Sequence, residues 1–231
     1  MPGEPYLAWA APHLAEFLGK RVERLAFVPY AGVRVSYDDY TDAVRRAFAP
    51  LGIPVVGLHE VADPGVELER AGAIAVGGGN TFQLLTQLYS NGLLDPIRKR
   101  VREGLPYVGW SAGSNVASPT IRTTNDMPII EPPSFRALGL VPFQVNPHYT
   151  EATLPDHGGE SRPERLTEFL ALNTGAVVAA LPEGTALRVE GGQLALVGRA
   201  PMVLFRSGEP PEPVPPGSRL ERRFPALAPD T

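Results

Sequence analysis

Short apolar runs and helix-like segments alternate through most of this chain of 231 residues. Residues 25–30 form one such run, bounded by proline and glycine, and predict a buried strand. Residues 38–48 predict a helix, with Asp38 or Asp39 as its cap. Residues 55–58 and 73–76 are again short apolar runs, the second ending in Gly77-Gly78-Gly79. Residues 81–94 are amphipathic and close near Asn91-Gly92, and residues 96–103 predict a further helix before a strand at 107–110. Residues 165–172 add one more helix. Short buried strands alternating with helices imply right-handed crossovers and an α/β fold: a mostly parallel sheet with helices on both faces.

Beyond residue 176 the pattern changes. Residues 186–189 and 193–197, joined by Glu190-Gly191-Gly192, predict a C-terminal β-hairpin, and residues 202–205 a closing strand. Proline dominates from 209 to 216, which reads as an extended tail outside the core. The expected organisation is one α/β catalytic domain over residues 1–207, followed by a proline-rich tail over 208–231.

In a doubly wound sheet, ligands bind beyond the carboxyl ends of the strands. Four polar or glycine-rich sites follow predicted strands here. The first is Gly109-Trp110-Ser111-Ala112-Gly113, the Gly-x-Ser-x-Gly pattern of a nucleophile elbow. It places Ser111 on a strained strand-to-helix turn, its hydroxyl over free helix-terminal N–H groups. The second is Gly77-Gly78-Gly79-Asn80-Thr81. It lacks the third glycine of a dinucleotide fingerprint and the lysine of a P-loop. It reads better as a backbone donor, Gly79, which with the Ala112 amide would form an oxyanion hole. The third holds His148, in Asn146-Pro147-His148 after a predicted strand at 143–145, and the fourth Glu183, in Leu181-Pro182-Glu183-Gly184 after one at 176–180.

A serine hydroxyl needs a base within hydrogen-bond reach, and the base needs an orienting acceptor. Of the four histidines, His13 falls in an N-terminal helical segment, His59 before a proline-containing loop and His157 in a glycine-rich loop. His148, held by a proline at a strand end, is the best base. Glu183 and Asp126, the latter in Thr124-Asn125-Asp126-Met127-Pro128, are both credible third members.

Composition narrows the field. A formal net charge of −4 without a basic cluster argues against a nucleic-acid partner. The absence of cysteine removes disulfides, thiolate metal sites and a cysteine nucleophile. No apolar run reaches the ~18 residues of a membrane span. The first residues lack the basic and apolar regions of a signal peptide. A cytoplasmic protein with no membrane partner is the expectation.

Read together, these blocks resemble peptidase E, the serine α-aspartyl dipeptidases. The resemblance runs in order through Phe27-Val28-Pro29-Tyr30-Ala31-Gly32, Asp38-Asp39-Tyr40, Gly77 to Leu85, Gly109 through Asp126-Met127-Pro128, Asn146-Pro147-His148 and Leu181-Pro182-Glu183-Gly184. It implies a fold like that of class I glutamine amidotransferases. It also implies cleavage of small dipeptides with an N-terminal aspartate, with no metal and no cofactor. The nucleophile maps to Ser111, the base to His148, the oxyanion donors to Gly79 and Ala112. The third member maps to Glu183 on one account and to Asp126 on another; Glu183, after a buried strand, is preferred, with Asp126 supporting the site nearby. An arginine that reaches the substrate aspartate from a mobile loop maps to Arg162, and Asn80 and Thr81 are expected to face the substrate. Ser114 and Ser118 stand where relatives often carry alanine and cysteine. Relatives usually begin with an apolar strand that does not precede Met1-Pro2-Gly3 here, which implies one strand fewer or a truncated start. The resemblance leaves monomer and homodimer open. The alternatives are a relative of cyanophycinase, acting at β-aspartyl-arginine, and an inactive small-molecule binding module.

Overall fold

The computed structural model describes residues 3–19, 22–153, 158–218, 220 and 223–224. Strands β1 (Leu25–Val28), β2 (Val55–Gly57), β3 (Ala73–Val76) and β4 (Tyr107–Gly109) pair in the order β2-β1-β3-β4, every pair parallel. β1 and β3 are buried at every position. Their sequences therefore run apolar without alternation, as a strand covered on both faces requires.

Helices α1 (Ala11–Leu18) and α2 (Tyr37–Phe48) cover one face, packing Leu18, Val44 and Phe48 on Leu25, Phe27 and Ala75. Helices α3 (Pro64–Arg70), α4 (Thr81–Ser90), α5 (Leu94–Arg102) and α6 (Ala112–Ala117) cover the other. They bring Leu68, Leu84, Ile97 and Val116 onto Val28, Ile74 and Val76. Each fully buried aliphatic side chain of this kind contributes roughly 1.5–3 kcal/mol.

Three boundaries differ from expectation for local reasons. The cap of α2 is Ser36, whose Oγ accepts from the Asp39 amide at 3.0 Å. Asp38 and Asp39 lie in the first turn instead, where carboxylates meet the positive end of the helix. α3 occupies a stretch expected to be loop. Asp63 caps it, and Pro64 sits at its first position, where a missing N–H leaves nothing unsatisfied. The amphipathic run from 81 is divided between α4 and α5.

The second half follows. β5 (Gln144–Pro147) runs parallel to β6 (Val177–Leu181), and α7 (Arg162–Leu172) connects them. The hairpin β7 (Thr185–Glu190) and β8 (Gln193–Gly198) forms as expected. β9 (Met202–Arg206) then returns antiparallel to β6, and β10 (Glu212–Val214) pairs antiparallel with β9. The sheet order is β10-β9-β6-β5. The tail expectation is thus corrected. Val214 and Leu220 are fully buried and Phe224 nearly so, in one cluster with Phe143, Met202 and Leu204. A proline strand is tolerated because β10 is an edge.

β4 and β5 do not pair through a backbone ladder. The segment after α6 is joined to β5 by side chains. Ser118 Oγ accepts from the Val145 amide at 2.9 Å, and Thr123 Oγ1 donates to the Val145 carbonyl at 3.1 Å. Asn146 Nδ2 donates to the Thr123 carbonyl at 2.7 Å, and Asn125 Nδ2 to the Pro147 carbonyl at 2.9 Å. On the other side Arg188 of β7 pairs with Glu16 of α1 at 2.6 Å, tying the hairpin to the first half. Among the described residues no helix is long and apolar enough to cross a membrane.

Candidate active site

Ser111 follows β4 with φ 53° and ψ −115°, as the N-cap of α6. A non-glycine residue at positive φ costs on the order of 1–3 kcal/mol and persists only where its surroundings impose it. The glycine turn after β3 is one such constraint: a Cβ on Gly78 would fall 2.8 Å from Ser111 Cβ. Gly79 has φ 138°, and a Cβ there would fall 2.2 Å from the Ala31 carbonyl oxygen, so no other residue fits. Among the described residues, the amides of Gly79 and Ala112 donate to no protein acceptor.

His148 follows β5 with φ 55°, a strained position that the sequence did not signal. The Tyr149 amide donates to the Leu181 carbonyl at 3.0 Å, which carries the β5–β6 pairing one step further. That brings His148 beside the turn after β6, where its Nδ1 pairs with Glu183 Oε1. Both side chains are about half exposed, at 52% and 56%. With Nδ1 engaged by the carboxylate, Nε2 is the ring nitrogen left for a proton transfer. Ser111 Oγ and His148 are not hydrogen-bonded to one another among the described residues.

Asp126 lies elsewhere. Its Oδ2 accepts from the Thr81 amide at 2.8 Å and the Thr81 hydroxyl at 2.5 Å, at the N-terminus of α4. Thr81 Oγ1 also accepts from Asn115 Nδ2 of α6 at 3.2 Å and from the Thr124 hydroxyl at 3.0 Å. Thr81 is fully buried, which corrects the expectation that it faces substrate. Asn80 caps α4 through Gln83 and donates to the Met127 carbonyl at 2.9 Å, so both ends of its amide are engaged.

Arg162 is the first residue of α7, so it stands on a helix and not in the loop that precedes it. Ser161 and Glu164 form a capping box around it, a Ser-x-x-Glu signal that was readable ahead of the apolar positions. Arg162 Nη1 donates to the His148 carbonyl at 2.7 Å. Burial pushes the guanidinium below its usual value, Arg165 adds to this, and Tyr149 acts in the opposite direction. Among the described residues it pairs with no carboxylate.

The remaining histidines are placed apart. His13 lies on α1, and His157 falls outside the described residues. His59 Nε2 bonds Asp38 Oδ1 at 2.8 Å. Asp38, His59 and Glu60 offer three ligand atoms within 4.8 Å of one another. Glu60 is already paired with Arg45, and that cation opposes a second one there.

The sequence profile of peptidase family S51 matches residues 1–197. The chain belongs to peptidase family S51. It is a serine peptidase, a hydrolase. A curated relative of this S51 chain, the Peptidase E of Nostoc sp., is 48% identical over 219 residues, covering 95% of this chain and 90% of the relative. The Peptidase E of Actinobacillus pleuropneumoniae serotype 3 is 51% identical over 199 residues, covering 86% and 84%. A crystal structure of a peptidase from an acI-B1 Actinobacterium superposes with a TM-score of 0.68 at 22% identity, covering 93% of this chain and 90% of that one, which shows the shared fold.

Proposed function

We propose that this S51 peptidase is an α-aspartyl dipeptidase acting on small acidic dipeptides in the cytoplasm. Ser111 Oγ attacks the peptide carbonyl that follows the aspartate, and His148 Nε2 takes its proton. Glu183 holds the imidazole through Nδ1 and balances the charge it gains. The amides of Gly79 and Ala112 receive the developing oxyanion. The protonated His148 then passes its proton to the leaving amine, and water releases the acyl group by the reverse sequence. Asp126 supports the site from the α4 terminus rather than through the imidazole.

The observation that carries the substrate reading is Arg162. A partly buried guanidinium with no carboxylate partner among the described residues is anchored to the residue proposed as the base. A substrate carboxylate is the counter-ion that fork geometry favours.

The test is hydrolysis of Asp-Leu, Asn-Leu and β-Asp-Arg by the purified protein, with labelling by a serine-directed phosphonate. Turnover of Asp-Leu well above the other two supports the reading. Preference for β-Asp-Arg would replace it with a cyanophycinase-like activity. Absence of both turnover and labelling would leave a binding module.

A further inference from the structure

The turns after β3 and β4 share one aromatic support. Trp110, immediately before Ser111, stacks on Phe27 with ring centroids 5.9 Å apart and planes 6° from parallel. Its indole Nε1 donates to the Tyr6 hydroxyl at 2.6 Å and to the Tyr40 hydroxyl at 3.1 Å. The two phenol oxygens lie 3.1 Å apart. Tyr40 stands on α2, buried, and meets Phe27 edge-on at 5.2 Å. Its hydroxyl rests on the glycine turn: a Cβ on Gly77 would fall 2.6 Å from it. One residue on, a Cβ on Gly78 would fall 3.2 Å from Trp110 Cδ1. One phenol therefore touches the β3 turn directly and, through the indole, the residue that precedes Ser111.

The Tyr40 hydroxyl and the Trp110 indole meet inside an apolar cluster, where each must find a partner or incur a desolvation cost, while Tyr6 is exposed. The indole can only donate, so one phenol accepts from it while hydrogen-bonding the other. Burial raises the Tyr40 phenol, with Tyr6, Trp110 and the Gly78 backbone acting in the opposite direction. The hydroxyl stays protonated and serves as a fixed dipole, not a base.

We propose that Tyr40, braced by Tyr6, is a positioning residue for this site: its hydroxyl ties the β3 turn to the β4 turn and sets the separation between the Gly79 amide and Ser111. The proposal rests on Ser111 as nucleophile and Gly79 as oxyanion donor. A phenylalanine at 40 keeps the ring packing and removes only the tie, which makes it the informative replacement.

The experiment compares wild type, Tyr40→Phe, Tyr6→Phe and Ser111→Ala by kcat and KM on Asp-Leu. It also measures the rate constant and final extent of phosphonate labelling. Tyr40→Phe is expected to lower kcat and the labelling rate constant about 10- to 100-fold, with KM little changed. Tyr6→Phe is expected to lower both by a smaller factor. A merely structural role would reduce the fraction of protein that labels and leave the rate constant of that fraction alone. Wild-type rate constants in both tyrosine variants overturn the proposal. If Tyr40→Phe does not fold, Tyr6→Phe decides, since Tyr6 is 44% exposed and its ring is retained. Labelling that survives in Ser111→Ala would overturn the serine assignment and the proposal with it, whereas its loss there beside unchanged tyrosine variants would overturn the positioning role alone.

Discussion

Arg162 Nη1 donates to the carbonyl oxygen of His148 at 2.7 Å across fourteen residues of chain. His148 holds φ 55° one residue past the end of β5, and among the described residues no backbone amide donates to its carbonyl, which leaves a place for another donor. The guanidinium supplies it. The group proposed to read the substrate's charge and the group proposed to move its proton thus share one anchor, and a change at either is felt at both.

Replacing Arg162 with alanine should remove the preference for acidic substrate. An unpaired carboxylate in a desolvated site costs roughly 2–4 kcal/mol, so the ratio of kcat/KM for Asp-Leu over Asn-Leu should fall on the order of 30- to 1000-fold. Arg162→Lys should restore only part of it, because an ammonium lacks the planar fork. An unchanged ratio in the alanine variant would move recognition to another donor.

Ser111→Ala should fold normally and lose activity by about 10³-fold or more, the scale on which a nucleophile acts. Turnover above a few per cent of wild type in the purified variant would exclude Ser111 as nucleophile.

The two carboxylates should separate by phenotype. Glu183→Gln keeps the shape of the group beside His148 but not its charge, and should lower kcat by roughly 10²- to 10⁴-fold with little change in melting. Asp126→Asn weakens a charged acceptor at the start of α4 and should cost about 1–3 kcal/mol of stability. Thermal melts and kcat/KM measured together decide between them. A larger kcat loss in the Asp126 variant without destabilisation would reverse the roles.

The C-terminal stretch should behave as core. Leu220 is fully buried, and Leu220→Ala should destabilise by about 2–5 kcal/mol, read from the urea midpoint. A midpoint unchanged from wild type would return the stretch to a dispensable tail.

Alkali should unfold the protein through its tyrosines. Burial raises Tyr40 and Tyr149 above the ordinary phenol value. The folded state then holds these protons more tightly than the unfolded chain. Their stabilisation is complete below the unfolded value, about 10, and is lost as pH rises beyond it. The urea midpoint should fall from that pH upward, together with the rise of phenolate absorbance. A constant midpoint across that range would contradict the burial.

What could be read from sequence was local. β3 and β4 stood out because short apolar runs ended in glycine, and the tight turn at Ser111 followed from the small residues around it. α3 was hidden by its length of seven residues, although Asp63-Pro64 marked its start. β10 was hidden because proline content reports local propensity, while the ladder to β9 and the burial of Val214 come from chain far away in sequence. The same holds inside the site. Thr81 meets Asp126 across 45 residues, and Trp110 meets Tyr6 across 104. The strain at His148 left no sign, because neither it nor its neighbours is glycine.

Ser111 stands at the end of one sheet and His148 at the end of another, and the seam between β5 and the segment that follows Ser111 and α6 is sewn by Ser118, Thr123, Asn125 and Asn146. A peptide ladder is indifferent to which residues compose it; this seam is not. The alignment of the proposed nucleophile and base is therefore spelled out at a few hydroxyl and amide positions. Each is open to single-codon change, and a drifting chain would lose its catalytic alignment there before it lost its fold.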